Sequence, residues 1–171
     1  MSITRLDFAA LFREHHVRVY RYVRYRVGDS ALTDDLTADI FERAYRALDS
    51  YDPTRGAFQT WLSRIAHNYV SDYLDRQAHR DRYEVTSEAV LENLSSAEAL
   101  PEDQLIVNEA VNRLLSCLDQ LTARDREIVT LRFAFGIRSK VVADLLHIKE
   151  HTISVIILRA LERLRGCQGN S

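Results

Sequence analysis

Helix-breaking residues are scarce in this chain, and that scarcity constrains the fold more than any other feature. Only five glycines and two prolines occur in 171 residues. A turn-rich β fold needs such residues at its tight connections, whereas long helices exclude them from their interiors. Apolar residues also recur three and four positions apart along most of the chain, which is the spacing of an amphipathic helix. The sequence therefore predicts an all-α fold.

The helical spacing is lost over one long stretch, and this loss divides the chain. Residues 80–104 include two basic and seven acidic residues, and they also contain Pro101. An acidic segment without an apolar stripe is typical of a flexible linker. We therefore expect two small helical domains, residues 1–80 and residues 105–171, joined by a flexible acidic linker at 81–104.

Seven helices are expected from the apolar spacing and from the start and stop signals. They cover 5–27, 31–49 and 57–79 in the first domain, and 105–118, 123–135, 138–146 and 150–165 in the second, with a further short helix around 87–94 in the linker. Thr33 or Asp34 is expected to cap the second helix, and Thr122 is expected to cap the helix that begins at 123, which Gly136 ends. A short helix, a three-residue turn and a longer helix at the end form the helix-turn-helix pattern.

Several function classes are not supported by the composition. No apolar run approaches the roughly 20 residues of a membrane span, and no secretory signal begins the chain, so we expect a cytoplasmic protein without membrane insertion. Cys117 and Cys167 are too few for a disulfide framework, and we expect reduced thiols. No phosphate loop, nucleophile motif or metal-ligand spacing occurs, so we expect no enzyme activity, no cofactor and no metal.

Two pairs of segments resemble a known family. DDLTADIFERAYRAL at 34–48 and YDPTRGAFQTWLSRIAHNYVSDYLDR at 51–76 resemble region 2 of bacterial sigma factors. LTARDREIVTLRFAFGI at 121–137, VVADLLHIKEHTI at 141–153 and RALERLR at 159–165 resemble region 4. Because only a short acidic linker separates them, the chain resembles the extracytoplasmic-function group. The resemblance implies a factor that directs core RNA polymerase to promoters, opens the −10 element with its first domain and contacts the −35 element with its second.

The second helix carries acids beside apolar residues, and the resemblance implies that this face docks on core RNA polymerase. The candidate docking residues are Asp34, Asp35, Leu36, Asp39 and Phe41. Leu36 and Phe41 would be apolar anchors beside the acids. The other interpretation is that early acids and late arginines only complement the helix dipole.

The loop at 51–56 and the helix that follows it are the candidate −10 surface. An aromatic-rich helix beside a loop suits an unstacked base, and cationic groups suit the backbone of a single strand. The candidate −10 residues are Arg55, Arg64, His67, Asn68, Ser71 and Arg76. Asn68 stands where the family carries an asparagine linked to promoter recognition, and an amide can pair with a base edge. In the segment 18–26, where arginines alternate with aromatic residues, we favour a partly buried apolar face with solvated arginines over a nucleic-acid surface.

The last helix departs from the region 4 pattern. The candidate −35 residues are Arg138, Lys140, Lys149, Thr152, Ser154 and Arg159. Positions expected to face DNA instead hold Val155, Ile156 and Leu158, which we interpret as a protein contact. They could also be ordinary DNA-side residues or pack against the first domain. His147 replaces the glycine common in this turn.

Three hypotheses therefore remain. The first is a working sigma factor whose partners are core RNA polymerase, promoter DNA and an anti-sigma factor. The second is a sigma-derived regulator whose last helix binds a protein rather than −35 DNA. The third is a helix-turn-helix repressor with a sensor or dimerisation domain, and the order of the sigma-like segments counts against it.

Overall fold

A computed structural model describes residues 5–83 and 102–169. Within these ranges the fold is all-α, as predicted, without a β-strand. Its helices are α1 (Arg5–Val27), α2 (Ser30–Arg46), α3 (Phe58–Tyr83), α4 (Glu102–Asp119), α5 (Ala123–Val129), α6 (Ser139–Leu146) and α7 (Glu150–Gly169). A 3-10 turn at Leu48–Ser50 follows α2, and a π-helical segment at Thr130–Phe135 continues α5. The short helix expected around 87–94 lies outside the described residues. None of the described helices has the length and apolar character needed to span a bilayer.

The connection between α1 and α2 shows how local signals set the helix ends. Gly28 ends α1 in the left-handed region, at φ +79°, where glycine carries no steric penalty. The Asp29 side chain then accepts a hydrogen bond of 2.7 Å from the amide of Leu32 and caps α2. The prediction that Thr33 or Asp34 caps this helix is therefore wrong, because the helix begins at Ser30 and Thr33 is already buried within it.

The second domain follows the predicted start and stop signals with one change. Thr122 accepts a hydrogen bond of 3.1 Å from the amide of Asp125, which confirms it as the cap of α5. Gly136 ends the following turn at φ +83°. The single helix expected at 123–135 is instead α5 followed by the π-helical segment. His147 adopts a left-handed conformation, at φ 55°, so this histidine takes the backbone geometry that glycine commonly supplies in such a turn.

The two domains share one hydrophobic core. Fully buried apolar side chains of the first domain (Val19, Tyr22, Val23, Ile40, Leu62 and Val70 among them) form a single cluster with those of the second (Ile128, Leu131, Phe135, Val142 and Ile153). The rings of Tyr22 and Phe135 meet edge to face, with 5.6 Å between their centroids. A smaller cluster, Leu118, Leu121, Val129 and Ala160, joins α4, α5 and α7. The domains are thus packed together as well as joined in sequence.

Cys117 and Cys167 are bonded to each other, so the expectation of reduced thiols is wrong. The residues are 50 positions apart, yet their Cα atoms lie 5.8 Å apart. The helix α7 continues to Gly169, beyond the predicted end at 165, and it packs back against α4. That extra turn places Cys167 beside Cys117, a contact that local sequence signals do not show.

Candidate nucleic-acid interface

The loop at 51–56 is held in shape by its own polar groups. The amide and hydroxyl of Thr54 both donate to the Asp52 carboxylate, at 2.9 and 2.7 Å, and they lower the pKa of that carboxyl. The Tyr51 hydroxyl donates to the Gly56 carbonyl at 3.1 Å. Below the loop lies an open pocket of about 230 Å³, which we call the loop pocket. The residues that line it include Trp61, Arg55 and Arg64. The pocket combines an aromatic wall with two exposed cations, which suits a nucleic-acid base and its phosphate.

A second groove runs between α2 and α3 and contains Asn68. Its volume is about 670 Å³, and exposed Asn68 shares it with Arg43 and Tyr69. The Arg43 guanidinium lies 4.3 Å from the centre of the Tyr69 ring. The Tyr69 hydroxyl donates to Asp39 at 2.5 Å, and partial burial together with that carboxylate raises the pKa of Tyr69. The Asn68 side chain is thus exposed in the same groove as a cation that stacks on an aromatic ring.

His67 and Ser71, two other candidate −10 residues, face the second domain instead. His67 Nδ1 lies 2.9 Å from Glu127 Oε1, and Ser71 Oγ donates to the same oxygen at 3.4 Å. Arg26 Nη2 lies 3.3 Å from it. The structure thus divides the predicted −10 face: Arg55, Arg64, Asn68 and Arg76 are exposed, whereas the other two contact an acid of α5.

Glu127 remains ionised in this cluster. Burial alone would raise the pKa of Glu127, but the hydrogen bond from His67 and the charge of Arg26 outweigh burial, and the pKa lies below its ordinary value of 4.5. Because the contact lowers the pKa of Glu127, the ionised carboxylate stabilises the folded arrangement at pH values above the ordinary pKa of a glutamate. The contribution is lost as the pH falls through the lowered pKa. At neutral pH Glu127 therefore binds the first domain as an anion.

Matches to known families identify the protein family in which these surfaces occur. Residues 11–80 match the model of sigma-70 region 2, and residues 112–164 match that of sigma-70 region 4. The ECF RNA polymerase sigma factor BldN of Streptomyces coelicolor is 33% identical to the chain over 157 residues. The chain belongs to the extracytoplasmic-function (ECF) group of sigma factors. The alignment covers 92% of this ECF sigma factor and 58% of BldN, so the chain spans little more than half the length of that relative.

A further relative and two solved structures are also similar to the chain. The ECF sigma factor SigX of Bacillus subtilis is 26% identical, with 92% of this chain and 81% of SigX covered. The structure of CnrH in complex with the cytosolic domain of CnrY has a TM-score of 0.69 at 23% identity and covers 98% of this chain and 91% of CnrH. RpoE of Bartonella quintana, in complex with the anti-sigma factor NepR, has a TM-score of 0.72 at 19% identity, with coverage of 95% and 97%. These two structures support the fold of this ECF sigma factor.

The candidate polymerase-docking residues of the sigma factor occupy three environments. Asp34 and Asp35 are exposed, and Asp39 is half-buried beside Tyr69. Leu36 and Phe41 are only 3% and 4% exposed, because they point into the core. The prediction that these two residues are surface anchors is therefore wrong, whereas Asp34 and Asp35 are exposed as predicted.

In the helix-turn-helix, the predicted DNA-facing cations are exposed. Arg138, Lys140, Lys149 and Arg159 all reach solvent, and Thr152 is half-buried. The Ser154 hydroxyl is exposed, but it donates to the Glu150 carbonyl at 3.3 Å. The apolar positions differ from one another: Leu158 is 59% exposed, Val155 is half-buried, and Ile156 is half-buried against the shared core. Of the three, only Leu158 is thus mostly exposed.

Sequence reasoning missed Arg26 and Glu127. The arginines of 18–26 were expected to be solvated, but the side chain of Arg26 is only 8% exposed and lies against α5. The alternation of arginine with aromatic residues was the one available signal, and it does not identify a partner 101 residues away.

Among the described residues, no group of three metal-ligating side chains lies close enough to hold an ion.

Proposed function

We propose that the chain directs core RNA polymerase to promoters, opens the −10 element with its first domain and contacts the −35 element with its second. The observation that carries the proposal is the exposed Asn68 in the groove between α2 and α3, on the helix that also lines the loop pocket and in a domain that matches sigma-70 region 2. An exposed amide can recognise a base edge, and an aromatic pocket can hold a base removed from the duplex. The direct test is promoter-specific transcription by purified core polymerase with and without the chain.

Asn68→Ala should reduce discrimination at one −10 base by about 1–3 kcal/mol, because the amide is the base-pairing group. Arg64→Ala is the matched comparison, since an exposed cation near a phosphate should weaken binding about equally for every sequence. Binding to a set of single-base promoter variants measures both. If Asn68→Ala weakens every variant equally, Asn68 does not recognise a base.

We propose that the exposed acids at the start of α2 dock on the polymerase. Replacing Asp34 and Asp35 together by lysine should weaken core binding about tenfold or more, because like charges then meet across the interface. The control is Asp75→Lys with Asp81→Lys, which reverses the same charge at exposed positions of α3. A pull-down with purified core, alongside circular dichroism, compares the pairs. Equal affinities would place the docking surface elsewhere.

The −35 contact is assigned to the four exposed cations of the helix-turn-helix, which can neutralise phosphates. The second candidate function, a protein contact made by the last helix, is favoured by the exposure of Leu158. Leu158→Arg in the full chain separates the two candidates. If the helix binds DNA, the added cation should strengthen binding to a −35 duplex and leave transcription intact. If the helix binds a protein, transcription or partner binding should be lost.

We further propose that an anti-sigma factor binds the groove between α1 and the second domain. The groove has a volume of about 1050 Å³, and Val17 and Phe133 on its walls are 53% and 52% exposed. Arg21 and Arg24 line it as well, so an apolar helix with an acidic flank fits its chemistry. Phe133→Asp should weaken binding of a purified anti-sigma domain, whereas Leu158→Asp, outside the groove, should not. The reverse result would place that partner on the last helix.

A further inference from the structure

Glu127 is the one acid of α5 that points into the first domain. The other acid of that helix, Asp125, lies 3.8 Å from Arg163 of α7, within the second domain. Glu127 instead contacts Arg26 of α1 and His67 and Ser71 of α3, and its side chain is only 16% exposed. The two acids are two residues apart on one short helix, yet only Glu127 crosses between the domains.

The three partners of Glu127 form an anion-binding site on the first domain. They supply a guanidinium, an imidazole N–H and a hydroxyl, which converge on a single carboxylate oxygen at 3.3, 2.9 and 3.4 Å. The Arg26 side chain is more than nine-tenths buried and also donates to the Ala123 carbonyl at 3.3 Å. Such a set of donors binds a phosphate oxygen as readily as a carboxylate oxygen. The same three donors could therefore hold a phosphate oxygen in place of the Glu127 carboxylate.

The position of this site relates it to promoter DNA. His67 adjoins Asn68 in the sequence, and Ser71 lies one helical turn further along α3. Asn68 faces the groove towards α2, whereas His67 and Ser71 lie on the adjoining face of α3, towards α5. A strand that presents a base to Asn68 carries a phosphate on each side of that nucleotide. Phosphate contacts set the position of such a strand, while base contacts specify its sequence.

We propose that Glu127 is an internal substitute for a promoter phosphate, and that it holds the domains closed by occupying the Arg26–His67–Ser71 site. The proposal rests on the function proposed above, because it takes the ligand to be promoter DNA. DNA and Glu127 then compete for the same three donors. The apolar contact of Tyr22 with Phe135 also favours the closed arrangement. The apparent affinity for DNA then equals the intrinsic affinity multiplied by the fraction of molecules in which Glu127 has left the site.

The test compares Glu127→Gln with Asp125→Asn in the full chain. Both variants remove one negative charge from α5, but only the first removes it from the anion site. Fluorescence anisotropy with a −10 promoter bubble at fixed salt measures DNA affinity, and small-angle X-ray scattering measures the radius of gyration. Glu127→Gln should bind DNA about threefold to tenfold more tightly than Asp125→Asn, because the competing anion is lost. It should also have the larger radius.

Adding His67→Ala to Glu127→Gln should abolish the gain in DNA affinity, because the phosphate then loses one donor. Equal affinities for Glu127→Gln and Asp125→Asn would overturn the proposal, and so would a gain that survives His67→Ala. If Glu127→Gln lowers helicity, Glu127→Asp replaces it, since the shorter side chain withdraws the carboxylate from the site and should change affinity in the same direction. Transcription by the wild-type chain with core polymerase tests the proposed function separately, so either idea can fail alone.

Discussion

Replacing Phe135 by alanine should destabilise the whole chain by about 3–5 kcal/mol, which is the usual cost of removing a fully buried aromatic side chain. Phe135 has no exposed surface and packs against Tyr22 of the first domain within the shared core. Because one cluster spans both domains, we expect a single unfolding transition rather than the selective loss of the second domain. Urea unfolding, followed by circular dichroism and by tryptophan fluorescence, measures the change.

Phe133→Ala is the matched control for that measurement. Phe133 lies two residues away in the same π-helical segment, but it is 52% exposed, so its removal should change stability by no more than about 0.5 kcal/mol. If the two probes gave separate transitions for the wild-type chain, the domains would not be coupled through Phe135. Equal effects of the two substitutions would show that the shared core contributes little.

Replacing Gly136 by valine should cost about 2–3 kcal/mol, because the residue has a left-handed backbone that β-branched side chains rarely adopt. Its φ is +83°. A β-carbon there would also lie 2.7 Å from Arg18 Nη1 and 3.3 Å from Gln59 Nε2. The end of Arg18 can move aside, so backbone strain is the larger cause.

Gly56→Val serves as the control for the backbone effect. A β-carbon at Gly56 would meet no atom within 4 Å, and its φ does not lie in the left-handed region. This substitution should leave the free energy of unfolding within about 0.5 kcal/mol of wild type. Thermal unfolding of both variants measures the difference. A Gly136→Val protein as stable as the Gly56→Val protein would contradict the role assigned to the left-handed turn.

Local signals in the sequence predicted the parts of this fold that depend on near neighbours. Thr122 caps α5 and Gly136 ends the turn after it because each acts on residues a few positions away. The resemblance to region 2 implied that Leu36 and Phe41 lie on a docking face, although helical spacing shows only that they share a side. The packing of α1 against α2 determines which side of α2 faces the core. The centre of the Phe12 ring of α1 lies 4.6 Å from that of the Phe41 ring.

The contacts that close the molecule are long-range, and no local pattern predicts them. Gln59 donates to the Phe135 carbonyl at 2.8 Å across 76 residues, and Arg126 donates to the Tyr25 carbonyl at 2.6 Å across 101 residues. In both cases the acceptor is a backbone carbonyl, which carries no sequence signature of its own. The candidate −10 residues were predicted in the loop at 51–56 and on the helix that follows it, but the division between exposed Asn68 and covered His67 was not foreseen.

The fluorescence of the single tryptophan should report whether the loop pocket is occupied. Trp61 lies in the wall of that pocket, with its ring centre 5.5 Å from that of Tyr51 and 5.2 Å from that of Phe58. A base that enters the pocket would stack near the indole, and stacking changes indole emission. Since no other residue emits as an indole, a titration of unlabelled single-stranded DNA against intrinsic fluorescence would follow occupancy of this pocket alone.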